Sequence, residues 1–75
     1  MILHYIETTS GECFSEIDER FKYTWLGEVN KITKLSHGRF RIDTTQNNFP
    51  DEETKHTIII YPANIKRIYY NHGNN

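Results

Sequence analysis

The sequence has a single cysteine, Cys13, among 75 residues. An internal disulfide is therefore excluded, and with it the stapled scaffolds that many small secreted domains use in place of a large core. A reducing, cytoplasmic setting is the expectation. Long apolar runs are missing too. The longest, Ile58–Tyr61, spans four residues, far short of the ~18 that a membrane-spanning helix needs. The opening Met1-Ile2-Leu3-His4-Tyr5 lacks a basic stretch leading into an apolar one, so no export route and no membrane association are expected. The four glycines stand apart at positions 11, 27, 38 and 73, which excludes a glycine-rich phosphate loop.

Catalytic and metal-binding constellations are equally sparse. His4, His37, His56 and His72 fall in different segments. None stands three to five residues from another histidine, and Cys13 has no partner at a short spacing, as a structural zinc site would require, so neither a metal nor a cofactor is expected. Cys13 has no glycine-rich elbow beside it and reads as an inert thiol rather than a nucleophile. Glu16, Asp18 and Glu19 are close in sequence. General acid–base work, however, needs a pocket that separates the pKa values of such a pair, and a solvated turn is the simpler reading. No enzymatic activity is expected.

What the chain does have is aromatic and β-branched residues in short alternating stretches. Ten aromatics make up 13% of the residues, and each can bury about 150–250 Å². That supplies one compact core in a chain that can hide only roughly 60–65% of its unfolded surface. Residues 2–8 alternate as a strand does, Thr9-Ser10-Gly11 makes a turn, and residues 12–17 continue extended, so a hairpin is expected. From Asp18 to Leu35 two patterns compete. Phe21, Trp25, Val29 and Ile32 recur at helical spacing, whereas Tyr23, Thr24, Val29, Ile32 and Thr33 favour strands. We read a strand at 21–25, a turn at 26–28 and a strand at 29–35, with a short helix at 18–26 as the alternative.

Ser36-His37-Gly38 predicts a turn into Arg39–Thr44, where Phe40 and Ile42 face inward while Arg39, Arg41 and Asp43 face out. Residues 45–55 are expected to form a polar loop. Residues 57–61 form a strand, Pro62-Ala63-Asn64 interrupts it, and residues 65–70 form the last strand. Phe40, Ile42, Ile58, Ile60, Ile65 and Ile68 are expected to share one core. The prediction is one mainly-β domain over residues 1–70, with 71–75 a frayed polar tail. Its architecture is an antiparallel meander curling into a small barrel. The stretch Ile60-Tyr61-Pro62-Ala63-Asn64-Ile65 resembles the strand, one-turn 3₁₀ helix, strand ending of Src-homology-3-type barrels. That resemblance implies a barrel fold; the paired tryptophans and tyrosine-rich elements of the proline-peptide groove of those domains are not evident.

Charge is unevenly placed. Residues 1–30 carry six acids and two bases, net −4, and residues 31–75 carry seven bases and four acids, net +3. Around the 36–38 turn, Lys34, His37, Arg39 and Arg41 are expected to crowd together, with Lys66 and Arg67 joining them and Phe49, Tyr69 or Tyr70 adding stacking surface. Such a face suits single-stranded nucleic acid. Asp51-Glu52-Glu53 reads as a solvated acidic loop. In the Ile58-Ile59-Ile60 run successive side chains point to opposite faces. Ile59 and Tyr61 are therefore expected outside, as an apolar patch for a partner or for a second copy in a homo-oligomer.

The leading expectation is a non-catalytic binding protein, a small regulator or inhibitor acting by surface contact with a larger protein. Proteins of phages and mobile elements that block a host or defence factor share this size and character. The alternative is an RNA- or DNA-binding module that uses the basic hairpin at 34–41.

Overall fold

The computed structural model describes residues 2–71. Seven strands run in chain order: β1 Ile2–Thr8, β2 Cys13–Phe14, β3 Tyr23–Thr24, β4 Gly27–Lys34, β5 Phe40–Asn48, β6 Glu52–Ile60 and β7 Ile65–Asn71. Two 3₁₀ turns, Ser36–Gly38 and Pro62–Asn64, separate β4 from β5 and β6 from β7. The strands form two antiparallel sheets, ordered β2-β1-β7 and β3-β4-β5-β6, one of them curled into a half-barrel. The chain is a small, mainly-β, barrel-like fold, and its closing strand, 3₁₀ turn, strand sequence is the one the local resemblance implied.

Both sheets supply the core. Ile6 and Phe14 come from the first sheet, and Val29, Phe40, Ile42 and Ile60 from the second. Leu3, Ile32, Ile58, Ile65 and Ile68 pack against this cluster. The six residues expected to share a core therefore do so: β5 and β6 send alternate side chains inward, and in β7, where Ile65 and Ile68 are three apart, the register shift between Glu7↔Arg67 and Thr8↔Ile65 lets both reach the core. Ile42 stands opposite both Ile32 and Ile58, and Phe40 opposite Ile60. The same periodicity leaves Arg41 and Asp43 on the outer face.

Three expectations need correction. Residues 45–55 do not form a polar loop. β5 and β6 pair without a break from Phe40↔Ile60 to Asn48↔Glu52, leaving only Phe49-Pro50-Asp51 between them. From Asp43 onward polar cross-strand contacts hold the ribbon together. His56 Nε2 meets Gln46 Oε1 at 3.1 Å, Asn48 Nδ2 donates to Thr54 Oγ1 at 3.1 Å, and Thr57 Oγ1 donates to Asp43 Oδ1 at 3.1 Å. A ribbon held this way shows no hydrophobic alternation, the signal that marks a strand in sequence.

The hairpin arm expected over residues 12–17 shrinks to Cys13–Phe14, paired as Glu7↔Cys13 and Ile6↔Phe14. Ser15 ends it: its hydroxyl donates to the His4 carbonyl at 2.5 Å and accepts the N–H groups of Ile17 and Asp18. The alternative helix at 18–26 is also absent, because the groups a helix would need are committed to turns. Asp18 O accepts the Phe21 N–H, Asp18 Oδ1 accepts the Arg20 N–H at 3.0 Å, and Thr24 Oγ1 accepts the Leu26 N–H at 3.0 Å. Local side-chain bonds of Ser, Asp and Thr compete with helix in this way. The strand expected at 21–25 is shorter, and the one expected at 29–35 begins earlier, at Gly27. The expected tail at 71–75 falls outside the described residues except for Asn71, which ends β7.

Gly27 sets the tight β3–β4 turn against the next strand. Its φ is +101°, and a Cβ there would sit 2.2 Å from the Thr45 carbonyl oxygen. Gly11 also has a positive φ, +93°, but open space around it. Gly11→Ala should therefore cost roughly 1–2 kcal/mol from backbone strain alone, and Gly27→Ala distinctly more. Ile42→Ala, in the centre of the core, should cost about 2–5 kcal/mol. Urea unfolding of the three variants measures these values, and equal losses at the two glycines would contradict the close approach at Thr45.

Candidate functional site: an aromatic groove beside an acidic turn

A groove of about 320 Å³ opens between the β1–β2 turn and the segment that leads into β3. Gly11, Glu12 and Cys13 form one wall, and Arg20, Phe21, Tyr23, Thr24 and Trp25 the other. Tyr23 is 62% exposed and Trp25 59% exposed, values that large aromatics reach only where nothing in the chain covers them. Trp25 is nonetheless anchored, its ring lying 5.7 Å from that of buried Phe14. A short irregular segment can hold these residues out because its backbone bonds tie it down from behind. Ser15 N–H donates to the Phe21 carbonyl and Val29 N–H to the Lys22 carbonyl.

Phe21 joins the groove to a row of rings on the outer face of β1 and β7. Its centroid is 4.8 Å from that of Tyr5, which stacks at 4.2 Å on Tyr69, its register partner. An arginine stands at each end, with the Arg20 guanidinium carbon 4.8 Å from the Phe21 centroid and that of Arg67 5.9 Å from the Tyr69 centroid. Burial, and then the hydrogen bond with Tyr69, push the Tyr5 hydroxyl above its ordinary pKa. The guanidinium of Arg67 also donates to the Tyr69 hydroxyl at 3.2 Å.

Acidic groups frame the groove. The Glu12 carboxylate accepts from Thr8 Oγ1 at 3.0 Å and from Ser10 Oγ at 2.7 Å; both partners lie in the same turn, so the negative charge is fixed in place. On the far side Asp18 takes a two-pronged bond from the Arg20 guanidinium, at 3.1 and 2.7 Å, and a contact from His4 Nε2 at 2.9 Å. The Arg20 guanidinium beside it holds the Asp18 carboxyl well below the usual carboxylate range, helped by the Arg20 backbone N–H and by His4. The Cys13 thiol is pushed up, by burial first and by the Glu7 carboxylate second, which disfavours the nucleophilic thiolate. Among the described residues no three His, Cys, Asp or Glu side chains converge as a metal site would require. No helix among them is long and apolar enough to cross a membrane.

The residues singled out in the sequence are dispersed. Lys34 stands opposite Phe40 and Arg41 opposite Thr33, so Lys34 and Arg41 belong to opposite faces of the sheet. Arg39 folds back onto Ser36, donating to its carbonyl and hydroxyl oxygens, both at 3.1 Å, and His37 Nδ1 meets the same hydroxyl at 3.2 Å. Arg41 pairs with Asp43 at 3.0 Å. Lys66 and Arg67 lie on β7 in the other sheet, 3.9 and 3.7 Å from the Glu7 carboxylate. Ile59 and Tyr61 are exposed, as alternation requires.

Of these nine residues, only Arg67 and Tyr69 fall on the aromatic row that leads to the groove. Tyr5, Glu12, Arg20, Phe21, Tyr23 and Trp25 were not singled out as site residues. Their one signal was the alternation of aromatics at 21, 23 and 25, which looks the same in a strand that feeds the core. No family model, no curated protein and no solved structure matches the chain.

The Asp18–Arg20–His4 cluster ties the groove wall to β1, which makes it sensitive to acid. A carboxyl with a lowered pKa in the folded state contributes stability that is fully present above its unfolded value, about 4. That stability is lost as pH falls through the lowered folded value. Asp18→Asn should therefore lower the melting temperature at pH 7 and flatten its decline below about pH 4. Thermal melts of both proteins across that range measure the effect, and parallel curves would show that the cluster adds nothing.

Proposed function

We propose that the chain is a non-catalytic binding protein that takes an extended segment of a partner protein into the aromatic groove. The observation that carries this reading is the pair of exposed rings, Tyr23 and Trp25, held beside the fixed Glu12 carboxylate. Aromatic-lined grooves suit proline-containing extended segments, whose backbone is already ordered before binding. Rings and carboxylates together suit Lys or Arg side chains, through cation–π contact and charge pairing. The net charge of −4 over residues 1–30 favours the same basic partner. The segment best suited to the groove therefore combines proline with basic residues. Acting this way, a chain of this size would regulate or inhibit a larger protein by occupying one of its segments. A phage or mobile-element protein directed at a host or defence factor fits that role.

The nucleic-acid reading draws less support, because Arg39 and Arg41 are engaged within the chain and Lys34 and Arg41 face apart.

Trp25 is the only tryptophan, so its fluorescence reports occupancy of the groove. Titration with a basic proline-rich peptide should shift the emission and saturate. An acidic proline-rich peptide of the same length should not do so. Tyr23→Ala should weaken binding at least about tenfold, as loss of a buried aromatic contact does. Binding of the basic peptide that survives Tyr23→Ala and Glu12→Gln unchanged would overturn the reading.

A further inference from the structure

We propose that the chain forms a two-fold homodimer by antiparallel pairing of β6 with β6 of a second copy. The contact lies away from the groove and does not depend on it. β6 is the last strand of its sheet, and no strand pairs with its outer edge among the described residues. At nine residues it is long. It pairs with β5 throughout without a bulge and contains no proline. Edges of that kind are templates for another strand unless something blunts them. The opposite edge of the same sheet is blunted: short β3 covers the start of β4, and the Glu16 carboxylate accepts the Ile32 N–H at 2.5 Å. The edge strand β7 has bulged pairing with β1 and carries only positive charge, at Lys66 and Arg67. Among the described residues β6 is neither covered nor bulged, and its charges, Glu52, Glu53 and Lys55, are of both signs, so in one register they attract a second copy.

Its side chains choose the partner. Glu53 and Lys55 lie on the same face of β6, opposite uncharged Asn47 and Thr45 of β5, and neither has an ion-pair partner among the described residues. With the two-fold axis at Thr54, each Glu53 faces Lys55 of the other copy, each Glu52 faces His56, and Thr54 faces itself. Moving the axis by one residue sets Lys55 against Lys55 or Glu53 against Glu53, which repel. The Thr54-centred register also lays the tip carrying Phe49, 96% exposed, beside Ile59 of the second copy, 37% exposed. One register thus matches both the charges and these two exposed apolar groups, Phe49 and Ile59. It joins the two four-stranded sheets into one.

Charge reversal tests the register with little risk to folding, since the positions facing Glu53 and Lys55 on β5 are neutral. By sedimentation over a wide concentration range, wild type should show a monomer–dimer equilibrium. Lys55→Glu and Glu53→Lys should each weaken it about tenfold or more, because two attractive pairs become repulsive. An equimolar mixture of the two variants should recover the dimer, since the lysine introduced at position 53 of one copy then faces the glutamate introduced at position 55 of the other. In a Cys13→Ser background, Thr54→Cys should cross-link to itself on oxidation. Trp25→Ala should leave the equilibrium unchanged. A wild type that remains monomeric throughout, leaving the edge to a strand of another protein, overturns the proposal. So does a mixture that associates no better than its components.

Discussion

Closure of two sheets over a single small core is the constraint on which the rest of this structure depends. Ile6 and Phe14 on one side and Val29, Phe40, Ile42 and Ile60 on the other are the whole fully buried apolar set among the described residues. A domain of this size has little interior to spare, so each strand can commit only one face to it. The opposite faces and the longer extensions must be stabilised by other means. Rings stack over β1 and β7, polar pairs cross between β5 and β6, and turn-bound serine, threonine and aspartate side chains hold the segment between β2 and β3. The groove sits in these peripheral parts because the core has no volume for a pocket.

The groove follows from the same limit. Between Phe14 and Gly27 the chain contributes one two-residue strand. Apart from the short pairing of β3 with β4, the backbone of this segment is held by bonds to Ser15, Asp18 and Thr24. A segment tied at so few points does not bury all its aromatics. Phe21 reaches Tyr5, whereas Tyr23 and Trp25 stay on the surface, with Trp25 braced from beneath by Phe14. The arrangement supplies shape, apolar surface and a fixed carboxylate. The thiol of Cys13 in the groove wall is pushed up by burial and by Glu7, which disfavours the thiolate.

Charge is paired within the chain at some places and left without an ion-pair partner at others. Arg20, Arg41, Lys66 and Arg67 each have a carboxylate within ion-pair reach. Most of these pairs are solvent-exposed and contribute little to stability, but they partly neutralise the positive charge of those four residues. The two-stranded end of β5 and β6 is different, because its acids and Lys55 face neutral neighbours across the ribbon.

Composition and period-two spacing determined the fold class, the inward set on β5 and β6, the break at Pro62–Asn64 and the exposure of Ile59 and Tyr61. Each of these follows from one strand's own alternation or from one residue's backbone preference, and needs no knowledge of what lies across the sheet. Tertiary structure alone decided the rest. The outer half of the β5–β6 ribbon depends on register between residues such as Gln46 and His56, whose polar pairing leaves no hydrophobic pattern. The dispersal of the basic residues depends on which carboxylate or carbonyl each one meets, and Glu7 stands on the first strand while Lys66 and Arg67 stand on the last. Likewise, the aromatics at 21, 23 and 25 alternate identically whether they line a core or a groove. Their role was settled by Phe14 and Tyr5, distant in sequence, which offered contact to Trp25 and Phe21 and left Tyr23 uncovered.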